Sequence, residues 1–170
     1  MLIHYEASVA GARHELQGCG NREHCYVQVV EPPRMFGAAG GGDTDGENSA
    51  SDAAPRQAIV AAVAGGMPSM ILGAEGARLA GEAAVDAAAE AYRQGELVPG
   101  DASVLKGVFE RALRAVADAA VDQPAADVVS FACTMCLVVW DGVRVWYGNA
   151  GDSGAVAVGL MGDPFALTHM

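Results

Sequence analysis

Lysine is nearly missing from this sequence: Lys106 stands alone among ten basic residues, the other nine being arginines, against 21 aspartates and glutamates. The formal charge is therefore −11 over 170 residues. That balance leaves no basic face for nucleic acid or for an anionic membrane surface, so neither is expected as a partner. Long apolar runs are missing too, with nothing approaching the roughly eighteen residues that would suggest a transmembrane helix. The N-terminal MLIHYEASVAGARHEL carries Glu6 within its apolar stretch and has no basic start, so it does not read as a secretory signal. Cysteines number four and, without such a signal, read as reduced thiols rather than a disulfide frame.

What is present suffices for a core. Hydrophobic residues make up 52% of the chain and charged ones 18%, a composition that folds. The expectation is one soluble, cytoplasmic, acidic domain over residues 1–170. The preference for Arg over Lys, with abundant Ala, Gly, Val and Asp, resembles the usage of high-GC bacterial proteins.

The order of elements is legible from pattern. Tyr26–Val30 is a β-type run stopped by Pro32-Pro33. Residues 37–55 hold no aliphatic anchor and carry Asp43, Asp45, Glu47 and Asp52, which predicts a flexible acidic Gly-rich loop. Ala58–Ala64 reads as a buried strand ending at Gly65-Gly66. A first helix follows, its polar stripe being Glu75, Arg78, Glu82, Asp86, Glu90 and Arg93 and its apolar face mostly alanine, with Gly95 at its end. A second helix starts after Pro99-Gly100 with Asp101 as N-cap and stops at Pro124. Leu137–Trp140, a turn at Asp141-Gly142 and Val143–Tyr147 predict a hairpin, and Ala155–Val158 a further strand. The fold class expected is mixed α/β (α+β), an antiparallel helix pair laid on an antiparallel sheet.

Three local patterns invite misreading. Asp43-Thr-Asp-Gly-Glu47 resembles the start of a calcium loop, but Asn48 stands where glycine is wanted and Ala54 where the bidentate Glu belongs. Cys133 and Cys136 have CxxC spacing, but an offset of three in a strand sends the side chains to opposite faces, which favours buried structural thiols over zinc. Gly151-Asp152-Ser153-Gly154 resembles the nucleophile loop of chymotrypsin-like proteases, whose two β-barrels have no place for two long helices.

One family accounts for several segments at once. Trp140–Val156, with Asn149-Ala-Gly-Asp-Ser153, resembles the hairpin and "N-x-G-D-S-x-A" turn of the protein phosphatase 2C-type (PPM) metal-dependent phosphatases. Ala58–Met67 followed by Gly73–Ala80 is similar to their "VADG" strand and the "GA-x-LA" start of a long helix. His14-x3-Gly18-x2-Asn21-Arg22-Glu23 is similar to the "SH-x3-G-x2-NQD" opening of a bacterial branch, and Ala166–His169 to the strand after the turn. The resemblance implies an α–β–β–α sandwich holding Mn²⁺ or Mg²⁺, which activate water against phosphoserine or phosphothreonine in proteins.

Carried onto this chain, the resemblance implies metal contacts at Glu23, at the Gly66 carbonyl and at Asp152, with His14 as the catalytic, phosphate-facing candidate. It sets Gly65 where the family has its bridging aspartate and Gly154 where an arginine usually follows the turn. The family's late aspartates would lie past Met170, implying that the C-terminal part of the fold is missing here. Two functions follow: a metal-dependent protein serine/threonine phosphatase, or a non-catalytic module binding a phosphoprotein or regulatory protein. A gene fragment is the third expectation.

Overall fold

The computed structural model describes residues 21–32, 56–123, 127–158 and 164–166. The readings on His14, Cys19, the 37–55 loop, Pro124 and residues 167–169 lie outside these residues.

Four strands form one antiparallel sheet in the order β1 (Glu23–Val30), β2 (Ala58–Gly66), β3 (Cys133–Trp140), β4 (Val145–Ala150). A separate two-stranded sheet pairs β5 (Val156–Val158) with β6 (Pro164–Ala166). Between β2 and β3 run α1 (Gly73–Arg93), α2 (Ser103–Val121) and a 3-10 turn, Val128–Phe131. The mixed α/β class is as the pattern predicts.

β2 is covered differently from the prediction of a fully buried strand. Ala58, Val60, Ala62 and Ala64 are sealed against the helices, whereas Val63 on the opposite face is 51% exposed. The run looked uniformly apolar because alanine and valine occupy both faces, but in this sheet only one face of the strand packs on α1. Val30, Met135, Leu137, Val139 and Trp146 extend that covered face across the neighbouring strands. No helix among the described residues is long and apolar enough to cross a membrane.

Of the two described helices, α1 is the one that spreads across the sheet, packing on β1, β2 and β3. Most of its alanines, with Gly76 and Gly81, are buried, so backbone lies close to backbone. Its polar stripe faces solvent as predicted, with Arg78 bridging Glu75 at 2.7 Å and Glu82 at 2.8 Å. The hydrogen bond from Arg78 holds the Glu75 carboxyl below its usual range, but both side chains are more than a third exposed and the pair adds little stability. At the C-terminus Gly95 takes φ +72°, the Gly95 amide donates to Tyr92 and the Glu96 amide to Ala91. That is the paired closure of a Schellman end, and it needs a residue free to adopt positive φ.

The second helix departs from the predicted layer. α2 rests on α1 and on the 3-10 turn, and its Phe109 ring lies over Gly148 of β4, where an added Cβ would come within 2.9 Å of it. Leu105, Val108, Ala112 and Val116 form its buried stripe. The N-cap position falls on Ala102, one residue later than expected, while Asp101 just before it accepts the Ser103 amide on Oδ1 at 2.8 Å; that bond holds the Asp101 carboxyl below its usual range.

The hairpin turn sits one residue later than predicted. Trp140 pairs with Val145, so Gly142 and Val143 are the central residues and Gly142 takes φ +89°. Asp141 moves from the turn centre to its flank, where Oδ1 accepts the Val143 amide at 2.9 Å and the Arg144 amide at 2.6 Å. One carboxylate thus takes two turn amides at once. Asp141→Ala is expected to cost about 1 kcal/mol, read as a lower urea midpoint with unchanged slope.

Candidate functional site

Register places three residues in one row at the end of the sheet that lies opposite the hairpin turn. Glu23 pairs with Gly65, and Gly65 with Thr134. Strand alternation puts these positions on the face away from the helices. A Cβ built on Gly65 would lie 3.5 Å from Thr134 Oγ1 and 3.9 Å from Glu23 Cγ, so the row is contiguous. Beyond Thr134 comes the turn after β4: Ser153 Oγ donates to Thr134 Oγ1 at 2.9 Å, and Gly151, with φ +92°, packs on the Thr134 methyl.

Asn149 gives this turn its shape. Its Nδ2 donates to the carbonyls of Gly151 at 3.1 Å and Ser153 at 3.2 Å. Asp152 is exposed between them.

Arg22 anchors the other flank. Its Nη1 donates to the carbonyls of Met67, Pro68 and Met70 at 3.1, 3.2 and 3.0 Å, fastening β1 to the loop that leads into α1. The Arg22 carbonyl accepts the Gly66 amide at 2.9 Å. Gly66 itself is wedged against Gly73 and Ala74 at the first turn of α1, where a Cβ would collide with backbone. This close approach explains the second glycine of the pair in steric terms.

The cysteine reading agrees with this geometry. Burial raises the thiol pKa of both Cys133 and Cys136, which keeps them protonated and poorly nucleophilic. Cys133 lines a cavity under the helices, while Cys136 is buried in the next turn of the pleat.

Comparison with known families decides the class. The sequence pattern described as protein phosphatase 2C matches residues 48–170. The chain belongs to the protein phosphatase 2C family. No curated protein and no solved structure matches it. The matched stretch takes in β2, both helices, the hairpin and the Asp152 turn, and leaves Glu23 outside it.

As a phosphatase 2C domain, the chain belongs to a family whose metal chemistry asks for a particular donor set. Hard divalent ions are held by several oxygen ligands, carboxylates foremost. The row offers one carboxylate, Glu23, beside a residue with no side chain, Gly65, and then the hydroxyls of Thr134 and Ser153. Among the described residues no group of three or more His, Cys, Asp or Glu side chains converges. A two-ion centre does not fit this donor set. Of the candidates from sequence, the structure joins Glu23, Gly65 and Gly66 at one strand end and sets Asp152 in the turn that abuts it through Ser153. It also adds three residues that sequence reasoning passed over: Arg22, Thr134 and Ser153. Thr134 was legible in principle, since it alternates with Cys133 in the strand, but attention to the cysteines hid it.

Proposed function

We propose that this chain is a phosphatase 2C-family domain that recognises phosphoserine or phosphothreonine proteins, or a regulator of them, without hydrolysing the phosphoester. The observation that carries the reading is Gly65: its missing side chain leaves Glu23 as the single carboxylate in the row, so Mn²⁺ or Mg²⁺ has too few charged ligands there. Its setting in this reading is the bacterial cytoplasm, with neither nucleic acid nor membrane as partner.

The test is hydrolysis of a generic aryl phosphate at millimolar Mn²⁺ or Mg²⁺. The expected rate equals the protein-free blank, and a chelator leaves the melting temperature unchanged. Mn²⁺-dependent turnover that disappears in Glu23→Ala or Asp152→Ala would instead establish the metal-dependent phosphatase.

A further inference from the structure

The four-stranded sheet ends at β1, and among the described residues no strand lies beyond it. The Gly66 amide donates to the Arg22 carbonyl, one step past the Glu23–Gly65 pair. The even-numbered residues of β1 therefore bond to β2, and the odd-numbered ones turn amide and carbonyl outward. Pairing runs from Glu23 to Val30 without a bulge, and Tyr26–Val30 holds neither proline nor charge. Bulges, prolines and charges are what ordinarily blunt an edge. At Val27 and Val29 the edge thus presents a ladder to an added strand.

The groove beside this edge indicates which strand fits. Tyr26 and Gln28 turn their side chains to the helix layer, and with Glu82, Val85 and Asp86 of α1 they wall a cavity of about 240 Å³. None of its wall residues is basic. Glu82 and Asp86 are exposed; Glu82 pairs with Arg78 on its own helix, whereas Asp86 makes no ion pair among the described residues. Gln28 Oε1 is buried without a hydrogen-bond partner. The groove therefore offers acceptors and negative charge, which a donor-rich cation satisfies. On the opposite face of the sheet the edge carries Val27 and Val29, the latter 41% exposed. A strand added here alternates in the same way, one set of side chains meeting the carboxylates and the other the valines. A second copy of β1 fits poorly. Laid antiparallel about a two-fold axis through the sheet, it would bring the two Glu82–Asp86 stripes together in a chain of formal charge −11.

We propose that the edge of β1 over Tyr26–Val30 takes an extended basic segment of a partner protein as an added strand. Lysine or arginine at alternate positions of that segment turns to Glu82, Asp86 and Gln28, and the apolar residues between turn beside Val27 and Val29. The edge acts in this way whatever the Glu23–Gly65 row binds.

Fluorescence anisotropy of the 170-residue chain with a labelled peptide of alternating arginine and valine tests it. Saturable binding that weakens with salt is expected, while the same peptide with glutamate for arginine stays unbound. Asp86→Arg raises the Kd about tenfold. Val29→Pro removes an outward amide, a change that an edge strand tolerates, and abolishes binding. A peptide N-methylated at the alternate amides that would face β1 is also not bound, which asks the same of the backbone without altering the protein. Equal binding of the arginine and glutamate peptides, or of the methylated and unmethylated ones, overturns the proposal, as does a Kd unmoved by Asp86→Arg. A concentration-dependent dimer that is lost in Val29→Pro overturns it in favour of a second copy on the edge.

Discussion

Gly65→Asp is expected to tighten Mn²⁺ binding at least about tenfold over the parent chain, because ligand charge count governs affinity for hard cations. The contacts available to an added Cβ at this position, 3.5 Å to Thr134 Oγ1 and 3.9 Å to Glu23 Cγ, are ordinary van der Waals distances. The backbone there lies outside the positive-φ region that strains a side chain. An aspartate therefore enters without displacing the strand and places a second carboxylate beside Glu23. Electron paramagnetic resonance of free Mn²⁺ during a titration measures the gain. Equal affinity in variant and parent would show that the row is not a metal position at all. Loss of the gain on adding Glu23→Ala would assign it to the carboxylate pair. Two carboxylates held together without metal repel one another, so the variant is also expected to melt lower in chelator than in Mn²⁺.

Gly76→Ala is expected to be the most damaging single methyl in the helical layer. Gly76 lies in the first turns of α1 directly against the backbone of Phe131, and a Cβ there would collide with the Phe131 carbonyl oxygen. Phe131 is fully buried and its turn is fixed at both ends, with the Ser130 carbonyl accepting the Leu72 amide and Ala132 bonded back to Val129. Neither partner can give way locally, so α1 must shift on the sheet. Overpacking of this kind costs about 3 kcal/mol, a fall of roughly 6–12 °C in Tm for a domain of this size. The same substitution at Gly107 of α2, where an added Cβ meets nothing within 4 Å, is the control and should stabilise slightly through helix propensity. A Gly76→Ala variant as stable as the parent would mean that the 3-10 turn is not seated against α1.

The helices were the most readable part of the sequence because both carry polar residues three and four apart for several turns, a signal that survives any tertiary context. Gly95 marked an end that the backbone uses as such, and Asp101 marked one within a residue of the N-cap at Ala102. The hairpin was half legible: Asp-Gly announced a turn, but which residue sits at its centre depends on the Asp141 side chain bonding two amides at once, a choice made between strands and not written in the dipeptide. The one-sided cover of β2 was illegible for a related reason. Alanine is apolar enough to be buried and small enough to be left out, so alternating burial produces no alternating pattern.

The candidate site was legible through ordered motifs, each weak alone, which placed Glu23, Gly65, Gly66 and Asp152 near one another in chain logic. Physical adjacency of Gly65 to Glu23 and Thr134 came only with the strand register, which one residue of slip would have turned inside out. Arg22 was passed over because a guanidinium bonded to three carbonyls of a loop forty-five or more residues away leaves no trace in local sequence.

The alanine face of α1 bears on the thermodynamics of the whole domain. Burying an alanine freezes no side-chain torsions, whereas a leucine or methionine in its place would surrender rotamer freedom on every packing event. The helix therefore settles on the sheet with little ordering cost per residue, but each contact also removes little apolar surface from water. Unfolding such an interface exposes a modest hydrated area, so the heat-capacity increment should fall toward the low end for a chain of this length. A small increment flattens the stability curve, and a domain built this way keeps a similar stability over a broad span of temperature.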